Sequence, residues 1–148
     1  MKEENTNQNN NQEKEEILSP AKILASGRRK EAVARVQLIV PGKGKFLING
    51  KKWDEYFTTP LHRLLVKEPL NKANLSTPVD VKAKAEGGGI TGQAGAIRLG
   101  LAKALVEYNP QLKSPFKREK LLTRDPRAKE RKKYGRRGAR RRFQWTKR

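Results

Sequence analysis

Residues 127–148 hold twelve Lys or Arg and a single acid, Glu130, and no other feature restricts the chain's choices so severely. Like charges at that density repel one another. The segment also brings almost no apolar surface whose burial could offset the conformational entropy of ordering it. It is therefore expected to take its conformation from an anionic partner. Tyr134, Phe143 and Trp145 are interleaved with the cations. Arg presents a planar donor fork to phosphate, and aromatic rings can stack on bases, so the partner indicated is a nucleic acid.

The foldable part must lie elsewhere. Leu, Ile, Val and Phe are absent from residues 1–16, number 28 in residues 17–112 and fall to four in residues 113–148. Charge divides in the same way: residues 1–16 are net acidic, while residues 113–148 carry 17 basic against three acidic side chains in a chain of formal charge +20. The expected organisation is a disordered polar extension over 1–24, one globular α+β domain over 25–112, and a basic helical segment with an extended tail over 113–148. Absence of Cys excludes disulfides and thiolate metal sites. No apolar run approaches the roughly 18 residues of a membrane span. Five Glu against two Lys in residues 1–16 are unlike a targeting peptide. A soluble, untargeted chain with no membrane partner is expected.

Residues 31–40 alternate, with Ala32, Ala34, Val36, Leu38 and Val40 on one face and Glu31, Arg35 and Gln37 on the other, the pattern of a half-buried strand. Pro41-Gly42-Lys43-Gly44 reads as a turn into a second strand over 45–48, giving an expected hairpin. Thr59 and Pro60 open a short helix through Leu61, Leu64 and Leu65 that Pro69 should close. Residues 79–85 alternate again, with Val79, Val81, Ala83 and Ala85 inward. After three glycines a long helix over 91–108 is expected, ended by Asn109-Pro110, with Ala94, Ile97, Leu101, Leu105 and Tyr108 as the stripe lying on a sheet. A second row, Gly92, Ala96, Gly100 and Ala104, is small enough for another backbone to approach, whether sheet, helix or RNA, and protein packing is favoured. Asp125-Pro126 should open a charged helix ending near Gly135.

Candidate chemistry is sparse. Gly87, Gly89 and Gly92 match G-x-G-x-x-G, with Glu107 twenty positions after Gly87, but Glu107 falls inside the expected helix instead of ending a second strand, so a dinucleotide cofactor is not supported. The glycines form either a phosphate-accepting turn at a helix start or a tight turn with no ligand. His62 is the only His, and with no Cys and no G-x-S-x-G motif nucleophilic catalysis is poorly supplied. Asp54 and Glu55 adjoin and cannot face one another. No catalytic, cofactor or metal site is expected. Arg28-Arg29-Lys30, at the entrance to the first strand, and Lys43 with Lys45 add basic clusters outside the tail, as in a domain embedded in nucleic acid on more than one side.

Several blocks together carry a more specific message. Arg28-Arg29-Lys30 is followed by Val33-Ala34-Arg35-Val36, then by Gly87-Gly88-Gly89 with Gly92-Gln93-Ala94-Gly95-Ala96-Ile97-Arg98. Next come Leu121-Leu122-Thr123-Arg124-Asp125, Glu130-Arg131-Lys132-Lys133-Tyr134-Gly135 and the terminal Lys147-Arg148. In this order, over about residues 25–148, they resemble the family of the ninth protein of the small ribosomal subunit, bacterial or organellar type. The resemblance implies an α+β fold, a small mixed sheet with helices packed on it like the second domain of small-subunit protein five. It implies a structural, non-enzymatic role in the subunit head, on a bacterial cytoplasmic or an organellar ribosome, beside neighbouring head proteins. The implied contacts to small-subunit ribosomal RNA are Arg28, Arg29, Lys30, Arg35, Arg98, Arg124, Arg127, Arg131, Lys132, Lys133, Tyr134, Arg136, Arg137, Arg140, Arg141 and Arg142. Lys147 and Arg148 are the implied contacts to transfer RNA in the peptidyl site. Thr146 stands where the family usually has Ser, which keeps the hydroxyl, and residues 1–24 match nothing in the family pattern.

Overall fold

Alternation puts Ala32, Ala34, Val36, Leu38 and Val40 at 5 % exposure or less, and the fold is arranged around the strand that carries them. The computed structural model describes residues 21–75 and 77–145. In chain order the elements are β1 (Ala21–Arg29), β2 (Ala32–Val40), β3 (Phe46–Ile48), β4 (Lys51–Lys52), α1 (Trp53–Tyr56), α2 (Pro60–Ala73), β5 (Asp80–Glu86) and α3 (Ile90–Tyr108), followed by a 3-10 turn (Pro110–Leu112) and α4 (Lys113–Arg118). This is the α+β architecture expected, a five-stranded mixed sheet with helices packed against it. The strand order is β1-β2-β5-β3-β4, antiparallel throughout except where β3 runs parallel to β5.

That order corrects the expected hairpin. β2 turns back on β1, through Lys30 in the left-handed region at φ 52°, and not on β3. The loop after β2 is tied instead to β5: the backbone N–H groups of Lys43 and Lys45 each donate to Asp80 Oδ1 at 2.7 Å, and Gly42 N donates to the Pro78 carbonyl at 2.8 Å. β5 thereby enters between β2 and β3, a placement that local alternation does not encode. The first strand also begins at Ala21, inside the stretch assigned to the polar extension.

The amides of Lys45 and Lys43 hold the Asp80 carboxyl below its ordinary value. A depressed folded value contributes stability above the unfolded carboxylate range, and the contribution disappears as pH falls through the folded value. Asp80→Asn keeps an acceptor oxygen but removes the charge. Its thermal midpoint should fall less than that of the parent chain between pH 7 and pH 3. Identical pH profiles would show that the loop tether contributes nothing through its charge.

The long helix appears where its periodicity placed it, except that Tyr108, expected on the sheet-facing stripe, is exposed at the helix's end. Ten of its 19 residues are buried, the small row Gly92, Ala96, Gly100 and Ala104 among them. Gly100 lies against β1: a Cβ there would meet the Gly27 nitrogen at 3.2 Å and Val36 Cγ2 at 2.9 Å. Protein packing, not RNA, accounts for that position. Val66, Pro69 and Ala73 of α2 are buried, and α2 packs along α3. Pro69 corrects the expected end of this helix, which continues past it to Ala73. An interior proline costs about 3 kcal/mol, and its burial beside Val66 and Ala73 offsets that cost.

After α3 the core is closed by Phe116, at 0 %, and Leu121, at 1 % exposure. Beyond Leu121 no described residue is buried. The charged helix expected from residue 125 is absent; residues 124–145 form turns and irregular chain. Asp125 Oδ1 instead accepts the Arg127 backbone N–H at 3.1 Å, a local bond that competes with helix start. Arg131-Lys132-Lys133 then offers a helix only repulsion and no apolar face.

Candidate nucleic-acid interface

Among the described residues, helices cover one face of the sheet and none covers the outward positions of β1, β2 and β5 on the other. Alternation sends Arg28 of β1 and Arg35 of β2 to that open face, and both are exposed. The β2–β5 register sets Arg35 opposite Lys84 and Gln37 opposite Lys82. Lys22, Lys82 and Lys84 are exposed on the same face, and Leu24 beside them is 73 % exposed. Lys84 holds Glu86 at 2.8 Å, and that contact, with the nearby charges, keeps the Glu86 carboxyl below its ordinary value. No aromatic ring stands on these strands' outer positions, so the face offers charge for phosphates and no stacking platform. Lys22, Lys82 and Lys84 were not among the residues expected to bind. Their outward placement was legible from the alternation, but their proximity to Arg35 depends on β5 lying beside β2.

A second group gathers where the tail leaves the core. Arg29, on the opposite side of β1 from Arg28, is half-buried against α3, with Nη2 3.5 Å from Asp125 Oδ2. Arg127 Nη2 reaches the same oxygen at 3.0 Å. The Arg127 side chain and backbone N–H hold the Asp125 carboxyl at about 2, so it stays ionised at any physiological pH. Arg98 on α3 is half-buried, with Nε 2.7 Å from Glu68 Oε2. Glu68 also pairs with Lys72, which bonds Glu119, a chain of ion pairs joining α2, α3 and the segment after α4. Lys30 sits at the exposed tip of the β1–β2 hairpin.

The tail supplies the third group. Its one acid, Glu130, accepts from Lys133 at 3.0 Å and Arg140 at 2.9 Å, and hydrogen bonds from Arg140 and Lys133 hold its carboxyl below the ordinary value. Among the described residues, Arg124, Arg131, Lys132, Arg136, Arg137, Arg141 and Arg142 have no ion-pair partner. Tyr134 is 98 % and Trp145 82 % exposed, and the Arg137 guanidinium stands 5.9 Å from the Phe143 ring centroid. Lys147 and Arg148 lie outside the described residues. The structure thus brings together Arg28 with Arg35, and Arg29 with Arg98 and Arg127, while the remaining basic residues are spread along the tail.

The glycine turn answers to protein. Gly87 has φ 70°, and a Cβ there would come 2.7 Å from the Glu31 carbonyl oxygen; at Gly88 it would meet Ala32 N at 3.0 Å. Two of the three glycines therefore let the turn nest against the β1–β2 hairpin. Gln93 Nε2 donates to the Gly87 carbonyl at 3.1 Å, and Tyr56 donates its hydroxyl hydrogen to Gln93 Oε1 at 2.6 Å. His62 has Nε2 3.2 Å from Thr91 Oγ1 and its ring 6.0 Å from that of Phe57, while its Nδ1 is buried without a hydrogen-bond partner. Among the described residues no group of three or more His, Cys, Asp or Glu is placed to hold a metal, and no helix is long and apolar enough to cross a membrane.

Residues 27–148 match the model of the family described as ribosomal protein S9/S16. Two proteins named small ribosomal subunit protein uS9, from Anaeromyxobacter sp. (strain K) and Anaeromyxobacter dehalogenans (strain 2CP-1), are each 54 % identical over 125 residues, which span 84 % of this chain and 95 % of each relative. The matched region takes in β2 to β5 with the end of β1, the long helix and the entire basic tail, and on that footing the chain belongs to the ribosomal protein S9/S16 family.

Proposed function

We propose that this chain is a structural constituent of the small ribosomal subunit that binds the subunit's ribosomal RNA and catalyses nothing. The observation that carries the reading is the unneutralised charge of residues 123–145, which leave the core after Leu121 with no buried side chain and with most of their cations unpaired among the described residues. A segment of that kind is stabilised by polyphosphate. Each Lys or Arg that neutralises a phosphate releases counterions, a gain largely independent of base sequence, while specificity comes from RNA shape and from the few bases on which rings such as Tyr134 and Trp145 can stack. The open sheet face adds a second basic surface, so the domain is embedded in RNA on more than one side, in the subunit head beside its neighbouring proteins. Lys147 and Arg148, at the end of the tail, approach transfer RNA in the peptidyl site.

One experiment reads both parts of this function. Small subunits are assembled with the full chain or with a chain lacking Lys147 and Arg148, and sedimented through high salt. Both chains should travel with the subunit, and the shortened one should weaken retention of peptidyl-site transfer RNA. Failure of the full chain to co-sediment would overturn the ribosomal assignment; unchanged transfer RNA retention would overturn the role of the last two residues.

A further inference from the structure

Between β1, α3 and the start of the tail lies a pocket of about 190 Å³ whose wall includes Arg29, Gly95, Arg98, Thr123, Asp125 and Arg127. It is small against the roughly 300–1,000 Å³ of sites that enclose whole organic ligands. Four arginines, Arg28, Arg29, Arg98 and Arg127, and one carboxylate, Asp125, line this wall; with Glu68, 2.7 Å from Arg98, counted as well, the excess is two positive charges. Their donors are incompletely used. Arg29 Nε is buried and has no hydrogen-bond partner, and its Nη2 reaches Asp125 only at 3.5 Å. Arg98 Nε lies 2.7 Å from Glu68 Oε2, yet the geometry is too poor for a hydrogen bond, and that donor too is buried without a partner. Buried guanidinium donors left without acceptors are costly; the two Nε atoms are themselves closed to solvent, so a ligand in the pocket meets the partly exposed remainder of the Arg29 and Arg98 side chains.

Gly95 makes this arrangement possible. A Cβ at that position would overlap Arg29 Cδ and lie 2.9 Å from Nη1 and 3.2 Å from Nε, so the Arg29 side chain occupies the space that any other residue would fill. An interior helix glycine is otherwise unfavourable relative to alanine, which leaves the seating of Arg29 as its physical reason. Asp125 steadies the group by contacting both Arg29 and Arg127.

We propose that this pocket seats one phosphodiester of the bound RNA at the point where the tail leaves the core, with Arg29, Arg98 and Arg127 as donors and Gly95 as the gap that admits Arg29. A phosphodiester brings one negative charge and two non-bridging oxygens, each able to accept from planar guanidinium forks. The pocket lies between the sheet and the first tail cations, so a strand of RNA seated here can continue along residues 127–145. The proposal rests on the RNA-binding reading above and adds a fixed anchor to what is otherwise diffuse charge attraction.

The test measures binding of the full chain to refolded small-subunit ribosomal RNA across a salt series, for the parent and for Gly95→Ala, Arg98→Gln and Arg29→Gln. Losing one phosphate contact lowers the slope of log affinity against log salt by about 0.7 to 0.9. Each variant should show that loss, and phosphate-ethylation interference should lose its signal at one and the same RNA position in all three. Gly95→Ala is the decisive variant because alanine favours the helix while evicting Arg29, so its thermal midpoint should not fall even as the slope drops. If Gly95→Ala does not fold, Arg98→Gln carries the same readouts. Parent-like slopes and interference patterns in the folded variants, with the parent itself steeply salt-dependent, would overturn the pocket. A parent with a flat salt response would overturn the RNA-binding reading and the pocket with it.

Discussion

Between about 50 and 200 mM salt, the affinity of the full chain for small-subunit ribosomal RNA should fall about 10³- to 10⁵-fold, the loss that accompanies six to ten neutralised phosphates on duplex DNA. Truncation after Pro126 removes twelve Lys or Arg and one Glu and should cut the salt slope by more than half. The core should survive the truncation, because Leu121 is the last buried side chain among the described residues. Filter binding at a series of salt concentrations, with a thermal melt of each protein, measures both quantities. A slope unchanged by truncation would transfer the binding to the sheet face, through Arg28, Arg35, Lys82 and Lys84, and overturn the tail's primary role. A flat response in the full chain would overturn the RNA-binding reading altogether.

The largest effect on stability is expected at Gly27. A Cβ there would fall on the Ala96 carbonyl oxygen and within 2.5 Å of the Gly100 nitrogen. Both are backbone atoms of α3 and neither can rotate away. Gly27→Ala must therefore push β1 off the helix, at the upper end of overpacking costs or beyond, about 3 kcal/mol. For a folded core of this size each kcal/mol moves the thermal midpoint by about 4–8 °C, so a drop of well over about 10 °C is expected. Gly89→Ala is the control, since nothing lies within 4 Å of its added carbon and its backbone has φ −107°, which alanine adopts freely. Denaturant midpoints of the two variants should differ by most of that stability. Equal midpoints would mean that β1 does not sit as closely on α3 as the structure places it.

Gly27 also marks the limit of sequence reading here. The row Gly92, Ala96, Gly100 and Ala104 announces that a backbone comes close to the long helix, because a small side chain every four positions clears one groove. It does not say which backbone. β1 supplies it, yet β1 carries little signal of its own: Gly27 is its only buried residue, so no apolar alternation separates it from the polar stretch before it. The same asymmetry holds for the basic residues. Arg35 could be assigned an outward face from the period of its own strand, whereas its company with Lys84 required β5 to pair with β2. Arg29 and Arg98 are far apart in the chain, and Arg127 lies beyond both; nothing local links them.

The sequence by itself determined the periodic and the electrostatic facts: which positions of β2, β5 and α3 face inward, where the apolar core stops, and that residues 127–148 carry a charge only a polyanion can balance. These are properties of neighbours along the chain, set by side-chain period and by composition. Tertiary structure alone decided the strand order, with β5 admitted beside β2 by the Asp80 tether, and the continuation of α2 through Pro69. Each of these depends on free energy from burial between segments far apart in sequence. Pro69 is tolerated because α3 packs beside its helix.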